Sequence, residues 1–155
     1  MSIFDQNQVI KILRSLGPID LDYFNNRLRL QKLGFLAQEL GAKDGFPYSW
    51  YLRGPYSSSL AGVLFMGVEV DAFKDKVSLS IEEKHVVDKM RMLLGKEIDD
   101  PRTLELYASV MYLMPNRKLS QDDISNIVQV MAQEKPDYDK DEVQEVIRKI
   151  KKFQV

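Results

Sequence analysis

The clearest structural signal in this sequence lies in residues 46–60, which read Phe46-Pro47-Tyr48-Ser49-Trp50-Tyr51-Leu52-Arg53-Gly54-Pro55-Tyr56-Ser57-Ser58-Ser59-Leu60. Over residues 46–53 every second side chain is aromatic or leucine, and this period of two predicts a half-buried strand with one aromatic face. Gly54-Pro55 then ends the strand in a tight turn, because proline has no N–H for a ladder and glycine tolerates the turn. Ser57 or Ser58 can cap a helix that has Leu60 on its apolar side.

This alternation also predicts which side chains of the strand are buried. Trp50 and Leu52 are expected to pack against the helix that precedes the strand, Leu28–Leu40, whereas Tyr51 and Arg53 are expected to lie nearer the solvent. A register shift of one residue would reverse the burial of every side chain, so the pattern is a clear test of the strand.

Two segments of this region carry a recognisable pattern. The first lies on the predicted helix and reads Arg29-Leu30-Gln31-Lys32-Leu33-Gly34-Phe35-Leu36-Ala37-Gln38. The second reads Trp50-Tyr51-Leu52-Arg53-Gly54-Pro55-Tyr56-Ser57. Together they resemble the signature of the Panacea-domain family, which includes SocA-like antitoxins and YwgA-like prokaryotic proteins, although Leu52-Arg53 stands where many relatives carry an aromatic residue. The resemblance covers about forty of the 155 residues and implies a regulator that neutralises a toxin-like partner protein by direct binding, without catalysis.

Length and composition limit the classes of protein to which this chain can belong. With 155 residues, of which 45% are hydrophobic and 29% charged, the chain is expected to form one globular domain over residues 1–155. It has no cysteine and one histidine, His85, which disfavours zinc sites and catalytic triads. Its net charge of −1 argues against non-specific coating of nucleic acid. Because no apolar run reaches the length of a membrane span and the first residues lack a signal-peptide pattern, we expect a cytoplasmic location.

The rest of the chain is mostly helical in pattern. A first helix is predicted after a cap at Asp5, and the signature helix after a cap at Asn25 or Asn26. Further helices follow one another over residues 80–153, the first of them from a capping box that begins at Ser80 and the last with Val143, Val146, Ile147 and Ile150 on its inward side. Among these, the helix Arg102–Met114, ended by Pro115, is apolar on more than one side and is expected to be buried. Residues 67–80 alternate between apolar and polar side chains and could add strands to the aromatic one.

The order of these elements does not fit an alternating doubly wound α/β fold. The predicted fold is mainly α (α+β): a single compact domain of about six or seven helices with a short aromatic β element near residues 46–53. A signature region, residues 27–60, precedes the helical C-terminal part.

The most suggestive polar group consists of Arg27, Arg29 and Lys32 on the signature helix and Arg53 at the end of the strand. Arg29 and Lys32 are three residues apart, so both can lie on one helix face. If the turn packs across that face, Arg53 and the open N–H groups of the next helix start join them in a place suited to a phosphate or a partner's carboxylates. The alternative is that these are solvated side chains, with Arg53 paired to an acidic neighbour such as Asp44.

The predicted working surface combines the exposed side of the signature helix with the turn. Its predicted binding residues are Arg29, Gln31, Lys32, Tyr51, Arg53, Gly54, Pro55, Tyr56 and Ser57. No catalytic residue, metal ligand or cofactor is predicted, because the paired acids coincide with helix starts and no histidine accompanies the serines near Ser57. Replacing Arg29 and Arg53 together by glutamate is expected to abolish partner binding with little change in stability.

The sequence leaves two functions open. The first is a non-catalytic regulator that binds a partner protein through a basic helix and the Gly-Pro-Tyr-Ser turn, as the family resemblance implies. The second is a nucleic-acid-binding transcriptional regulator of helix-turn-helix or winged-helix type, with Arg27–Leu40 as its recognition helix. The slightly acidic net charge and the helix expected after Ser57, where a wing strand would return, weigh against the second function. No motif supports an enzyme, and no membrane contact is expected.

Overall fold

The computed structural model describes residues 3–114 and 119–153. Over these residues the elements are, in chain order, α1 (Ile3–Gln6), α2 (Gln8–Ser15), α3 (Phe24–Glu39), β1 (Ser49–Tyr51), β2 (Gly54–Tyr56), α4 (Ser58–Glu69), α5 (Ile81–Leu94), a 3₁₀ helix (Gly95–Asp99), α6 (Pro101–Tyr112), α7 (Gln121–Glu134) and α8 (Lys140–Phe153). This confirms the prediction of a mainly α fold with a short aromatic β element. Among the helices of the described residues, none is both long and apolar enough to cross a membrane.

The chain divides into two compact units, Met1–Glu105 and Leu106–Val155, and the boundary falls inside α6. In the first unit, α3 contacts α2, α4, α5 and β2. In the second unit, α7 packs on α8, and the apolar positions of α8 recur at steps of three and four residues on its buried side. That the whole chain forms one domain stays a prediction.

Helix α3 lies at the centre of the first unit. Residues 30–37 are all buried, so the helix is enclosed around its whole circumference. Gly34 lets the neighbouring elements approach closely, since a Cβ atom at this position would lie 2.8 Å from both the Leu60 Cδ2 atom and the Tyr48 hydroxyl oxygen. The predicted burial of the helix Arg102–Met114 is confirmed over residues 104–111, and Pro115 lies outside the described residues.

The aromatic segment is a β-hairpin and not one strand. β1 and β2 pair antiparallel, with Trp50 opposite Pro55, and the turn between them consists of Leu52 and Arg53. Gly54-Pro55 therefore belongs to the returning strand, and the prediction that these residues form the turn is wrong. The prediction that Leu52 is buried is also wrong, because its place at the tip of the hairpin leaves it 80% exposed.

The alternation predicts the burial of β1 in part. Tyr51 and Arg53 are exposed, as predicted, whereas Trp50, predicted to be buried, is half-buried. Tyr48, just before β1, packs its ring edge-on against Phe35 of α3, with 5.2 Å between the ring centroids. Burial raises the pKa of the Tyr48 hydroxyl well above its ordinary value.

Residues 67–80 form no strand in the structure, so the suggestion of added strands is wrong. Helix α4 runs on to Glu69, and Phe73 then folds back onto Gly67, where an added Cβ atom would overlap the Phe73 ring. The Phe73 ring also meets Phe4 edge-on, with 5.4 Å between the centroids.

Several helix ends follow the predicted caps and others do not. The side chain of Ser57 caps α4, and Ser80 starts α5 with a capping box, as the sequence predicts. The prediction that Asp5 caps the first long helix is wrong, since Asn7 caps α2 by accepting a hydrogen bond from the Ile10 N–H. The predicted cap at Asn25 or Asn26 is also wrong, because α3 already begins at Phe24.

Candidate functional site

Two side chains of α3 hold the end of the hairpin by hydrogen bonds to its backbone. The Gln31 side-chain amide donates to the Ser57 carbonyl oxygen at 2.9 Å and accepts from the Ser57 N–H at 2.9 Å. The Lys32 ammonium donates to the Pro55 carbonyl oxygen at 2.6 Å, and Lys32 is only 1% exposed. The two signature segments therefore meet, but the prediction that Gln31 and Lys32 lie on an exposed helix face is wrong.

The same contacts occupy the start of α4. The Ser57 N–H is bound by Gln31, and the Ser57 hydroxyl oxygen accepts from the Leu60 N–H at 3.1 Å. Ser57 itself is buried. Two of the N–H groups that the sequence suggested as an open anion-binding site are thus already paired inside the protein.

Arg29 points away from the hairpin and joins other elements. Its guanidinium donates to the Asp99 carboxylate at 3.0 and 2.7 Å and to the Leu16 carbonyl oxygen at 2.9 Å. Its side chain is 12% exposed. Arg29 therefore links α3 to the end of α2 and to the 3₁₀ helix, and it does not share a site with Lys32 and Arg53 as the sequence suggested.

The arginines that do come together are Arg27 and Arg53, which both lie against the ring of Phe24. Their guanidinium carbons are 6.0 and 5.5 Å from the ring centroid, distances typical of cation–π contacts. Arg27 also donates to the Leu21 carbonyl oxygen at 2.6 Å, and the ion pair of Arg53, at 3.8 Å, is with Glu105. The sequence-based suggestion that Arg53 pairs with Asp44 is therefore wrong.

A groove of about 730 Å³ opens between the first half of α3, the hairpin and α4. Its walls are mostly apolar and its rim carries charges of both signs. The lining residues are Leu21, Asp22, Phe24, Arg27, Leu28, Gln31, Lys32, Tyr51, Leu52, Arg53, Gly54, Tyr56, Ala61, Leu64, Phe65, Val68 and Glu69. Several large apolar side chains on these walls face solvent, among them Phe65 at 59% and Tyr51 at 61% exposure.

The hairpin contributes an aromatic pair to this groove. Tyr51 and Tyr56 lie on the same face of the two strands, and their ring centroids are 5.7 Å apart. Both side chains are exposed. As predicted, they are accessible for contact with a partner, whereas Tyr48 is half-buried and packs against Phe35.

The structure thus sorts the predicted binding residues into two groups. Those that line the groove are Gln31, Lys32, Tyr51, Arg53, Gly54 and Tyr56. Arg29, Pro55 and Ser57 do not line it, and their contacts are with the protein itself.

Sequence reasoning missed the contributions of Phe24, Phe65 and Val68 to the groove. A signal was present in α4, which has more apolar residues than one buried face can use: Phe65, Met66 and Val68 follow the buried Leu60 and Leu64. Such an excess indicates a second apolar face.

Comparisons of the chain with protein-family models, with curated proteins and with solved structures gave no match. The likeness to the Panacea-domain family therefore depends on the segments Arg29–Gln38 and Trp50–Ser57 alone. In this chain the two segments contact each other, and the groove lies beside them.

Proposed function

We propose that this protein is a non-catalytic interaction regulator, similar to Panacea-type antitoxins, which binds a toxin-like partner protein at the groove between α3, the hairpin and α4. The observation that carries the proposal is the groove itself, an exposed apolar cleft of about 730 Å³. Proteins that act alone seldom leave contiguous apolar surface open to water, and a rim of charges around such a surface is typical of interaction sites.

The residue types on the groove also favour a protein partner. Aromatic side chains and arginine are enriched among residues that dominate binding energy in protein interfaces. Here Phe24, Tyr51, Tyr56 and Phe65 lie with Arg53 on one continuous surface. In this proposal the signature polar residues position the hairpin beside the groove, and the aromatic residues contact the partner.

The nucleic-acid alternative is less well supported. A recognition helix in the major groove needs one long exposed face, whereas residues 30–37 of α3 are all buried. The two exposed arginines near the groove, Arg27 and Arg53, are accompanied on its rim by the carboxylates of Asp22 and Glu69. A mixed rim of this kind disfavours a polyanionic backbone.

The test is binding to the protein encoded beside this chain. The two proteins are co-expressed and purified, and the dissociation constant is measured by isothermal titration calorimetry. Leu52→Ser and Phe65→Ser alter exposed groove residues, and each is expected to weaken binding by at least about tenfold. Met92→Ser is the matched control, because Met92 is equally exposed but lies on α5 outside the groove.

Two results would contradict the proposal. One is salt-dependent retention of the chain on duplex DNA with no protein complex, which would favour the nucleic-acid regulator. The other is a complex with the neighbouring protein whose affinity falls with Met92→Ser and not with the two groove variants. Circular dichroism of every variant separates loss of binding from loss of folding.

A further inference from the structure

We infer that the groove takes a short amphipathic α-helix of the partner protein, with apolar side chains in the groove and carboxylates that reach Arg27 and Arg53. This inference rests on the proposed function and names the kind of partner segment that the site fits. Three observations support it: the helical spacing of the residues that line the groove, the hydrogen bonds that already engage the polar side chains at its floor, and the two guanidinium groups beside Phe24.

The residues that line the groove have helical spacing on both sides. Helix α4 provides an apolar wall with Ala61, Leu64, Phe65 and Val68, which lie at positions i, i+3, i+4 and i+7. Helix α3 lines the groove at the same steps from Phe24 onward, and of these residues Phe24 and Leu28 are apolar. Each wall therefore extends for about two helical turns, or roughly 10 Å. Two such walls form the kind of cleft in which a third helix lays its apolar stripe.

The floor of the groove favours a helix over an extended segment. Gln31 and Lys32, the polar side chains that α3 places there, are engaged with the backbone of Ser57 and Pro55. An extended peptide would bury backbone N–H and C=O groups against apolar walls, where they need partners. A helix pairs these groups within itself and presents only side chains.

The charges select the polar side of this helix. Arg27 and Arg53 bring two guanidinium groups to one exposed aromatic ring, that of Phe24. One nitrogen of each is engaged, with the Leu21 carbonyl oxygen and the Glu105 carboxylate, and a carboxylate of the occupant would bind the other N–H groups of these guanidinium groups. Asp22 and Glu69 also line the groove and repel acidic groups that approach them, so the fitting helix carries its carboxylates where they reach the two arginines.

Photo-crosslinking in the complete complex tests where the partner lies. Phe65 is replaced by p-benzoylphenylalanine in the full chain, with the same replacement at Met92 as control, and crosslinked peptides are mapped by mass spectrometry. The expected result is a crosslink from position 65 into one partner helix with apolar residues at i, i+3 and i+4 and at least one Asp or Glu. A crosslink into a strand or loop, into a second copy of this chain, or from position 92 alone would overturn the inference.

Charge exchange tests the two arginines. Arg27→Glu with Arg53→Glu is expected to weaken the complex by at least about tenfold, and changing the facing partner carboxylate to lysine should restore affinity to within about threefold of the original. Arg91→Glu, an exposed position on α5, is the control. Should the glutamate variants unfold, Arg27→Gln and Arg53→Gln test the same contact. A folded variant that keeps full affinity, or a loss that the partner exchange does not restore, would overturn the inference.

The proposed function has a test of its own that does not depend on the helical segment. Size-exclusion chromatography of the two unsubstituted proteins shows whether they form a complex. If they form a complex that Leu52→Ser and Phe65→Ser weaken, but the crosslinking or charge-exchange experiment fails, the regulator proposal stands and the helical segment is wrong. If no complex forms, both are wrong.

Discussion

The side-chain amide of Gln31 binds the backbone of Ser57, 26 positions further along the chain, by two hydrogen bonds of 2.9 Å each. The amide thus pairs with Ser57 as the backbone of a neighbouring strand would. Because Ser57 is also the cap of α4, one side chain of α3 fixes the point where the hairpin ends and the helix begins. The geometry of the groove depends on this point.

Gln31→Ala is expected to lower the free energy of unfolding by about 2–4 kcal/mol, because it leaves the buried Ser57 N–H and carbonyl oxygen without their partner. Urea denaturation measures the change. Gln129→Ala, at an exposed position of α7, should change the stability by less than about 0.5 kcal/mol. Equal effects of the two substitutions would show that the amide pairing contributes little.

Gly34→Ala and Gly62→Ala should change stability in opposite directions. At Gly34 the new methyl group would lie 2.8 Å from both Leu60 and Tyr48, so we expect a loss of about 1–3 kcal/mol from overpacking. At Gly62, on α4, a methyl group meets no atom within 4 Å, and alanine should gain about 0.5–1 kcal/mol from its better helix propensity. Thermal or urea unfolding of both variants checks the signs.

Arg29→Ala is expected to cost about 1–2 kcal/mol of stability, since it removes a guanidinium whose side chain is only 12% exposed and which binds both the Leu16 carbonyl oxygen and the exposed Asp99 carboxylate. Partner affinity per folded molecule should stay unchanged, because Arg29 does not line the groove. Arg91→Ala, at an exposed site, is the control for both measurements. From the sequence, Arg29→Glu together with Arg53→Glu is expected to change stability little, whereas the contacts of Arg29 in the structure predict that this double variant loses stability.

The pairing of Glu83 predicts a pH dependence of stability. Burial opposes ionisation of this carboxyl, but hydrogen bonds from Lys11 and Ser80 outweigh it, so the pKa of Glu83 lies below its ordinary value. The contribution of the ionised Glu83 carboxylate to the free energy of unfolding is therefore fully present above the unfolded-state pKa of about 4.3. It is lost as the pH falls through the lower folded-state pKa.

Urea denaturation between about pH 7 and pH 3 measures this dependence. Glu83→Gln should reduce the fall in unfolding free energy at the acidic end relative to the unsubstituted protein. Glu82→Gln, next in sequence but exposed, should leave the profile unchanged. A profile that Glu83→Gln does not flatten would show that other carboxyls cause the acid sensitivity.

Local signals predicted most of the secondary structure. Capping residues and apolar periodicity located the start of α5 at Ser80 and the apolar side of α8, because both depend on neighbours within one or two turns. The hairpin was misread for the same reason. A period of two is equally compatible with one strand of eight residues and with a shorter strand followed by a turn, and only the pairing of Trp50 with Pro55 distinguishes them.

The candidate site was predicted less well than the fold. Sequence position suggested that Arg29, Lys32 and Arg53 lie together, but residues 30–37 of α3 are all buried and the three side chains bind separate partners. Periodicity gives the relative direction of side chains on one helix and does not show which faces other elements will cover. Arg27 and Phe24 were placed beside Arg53 only by the return of the hairpin.

The burial of Lys32 has a consequence for the chemistry of the intact protein. Its amine lies under the Pro55 carbonyl oxygen, so an amine-reactive acetylating reagent can reach it only after the hairpin has moved away from α3. The rate of Lys32 acetylation, followed by mass spectrometry against the exposed Lys84, therefore reports how often the hairpin detaches. A partner seated in the groove should slow that reaction and leave the acetylation of Lys84 unchanged.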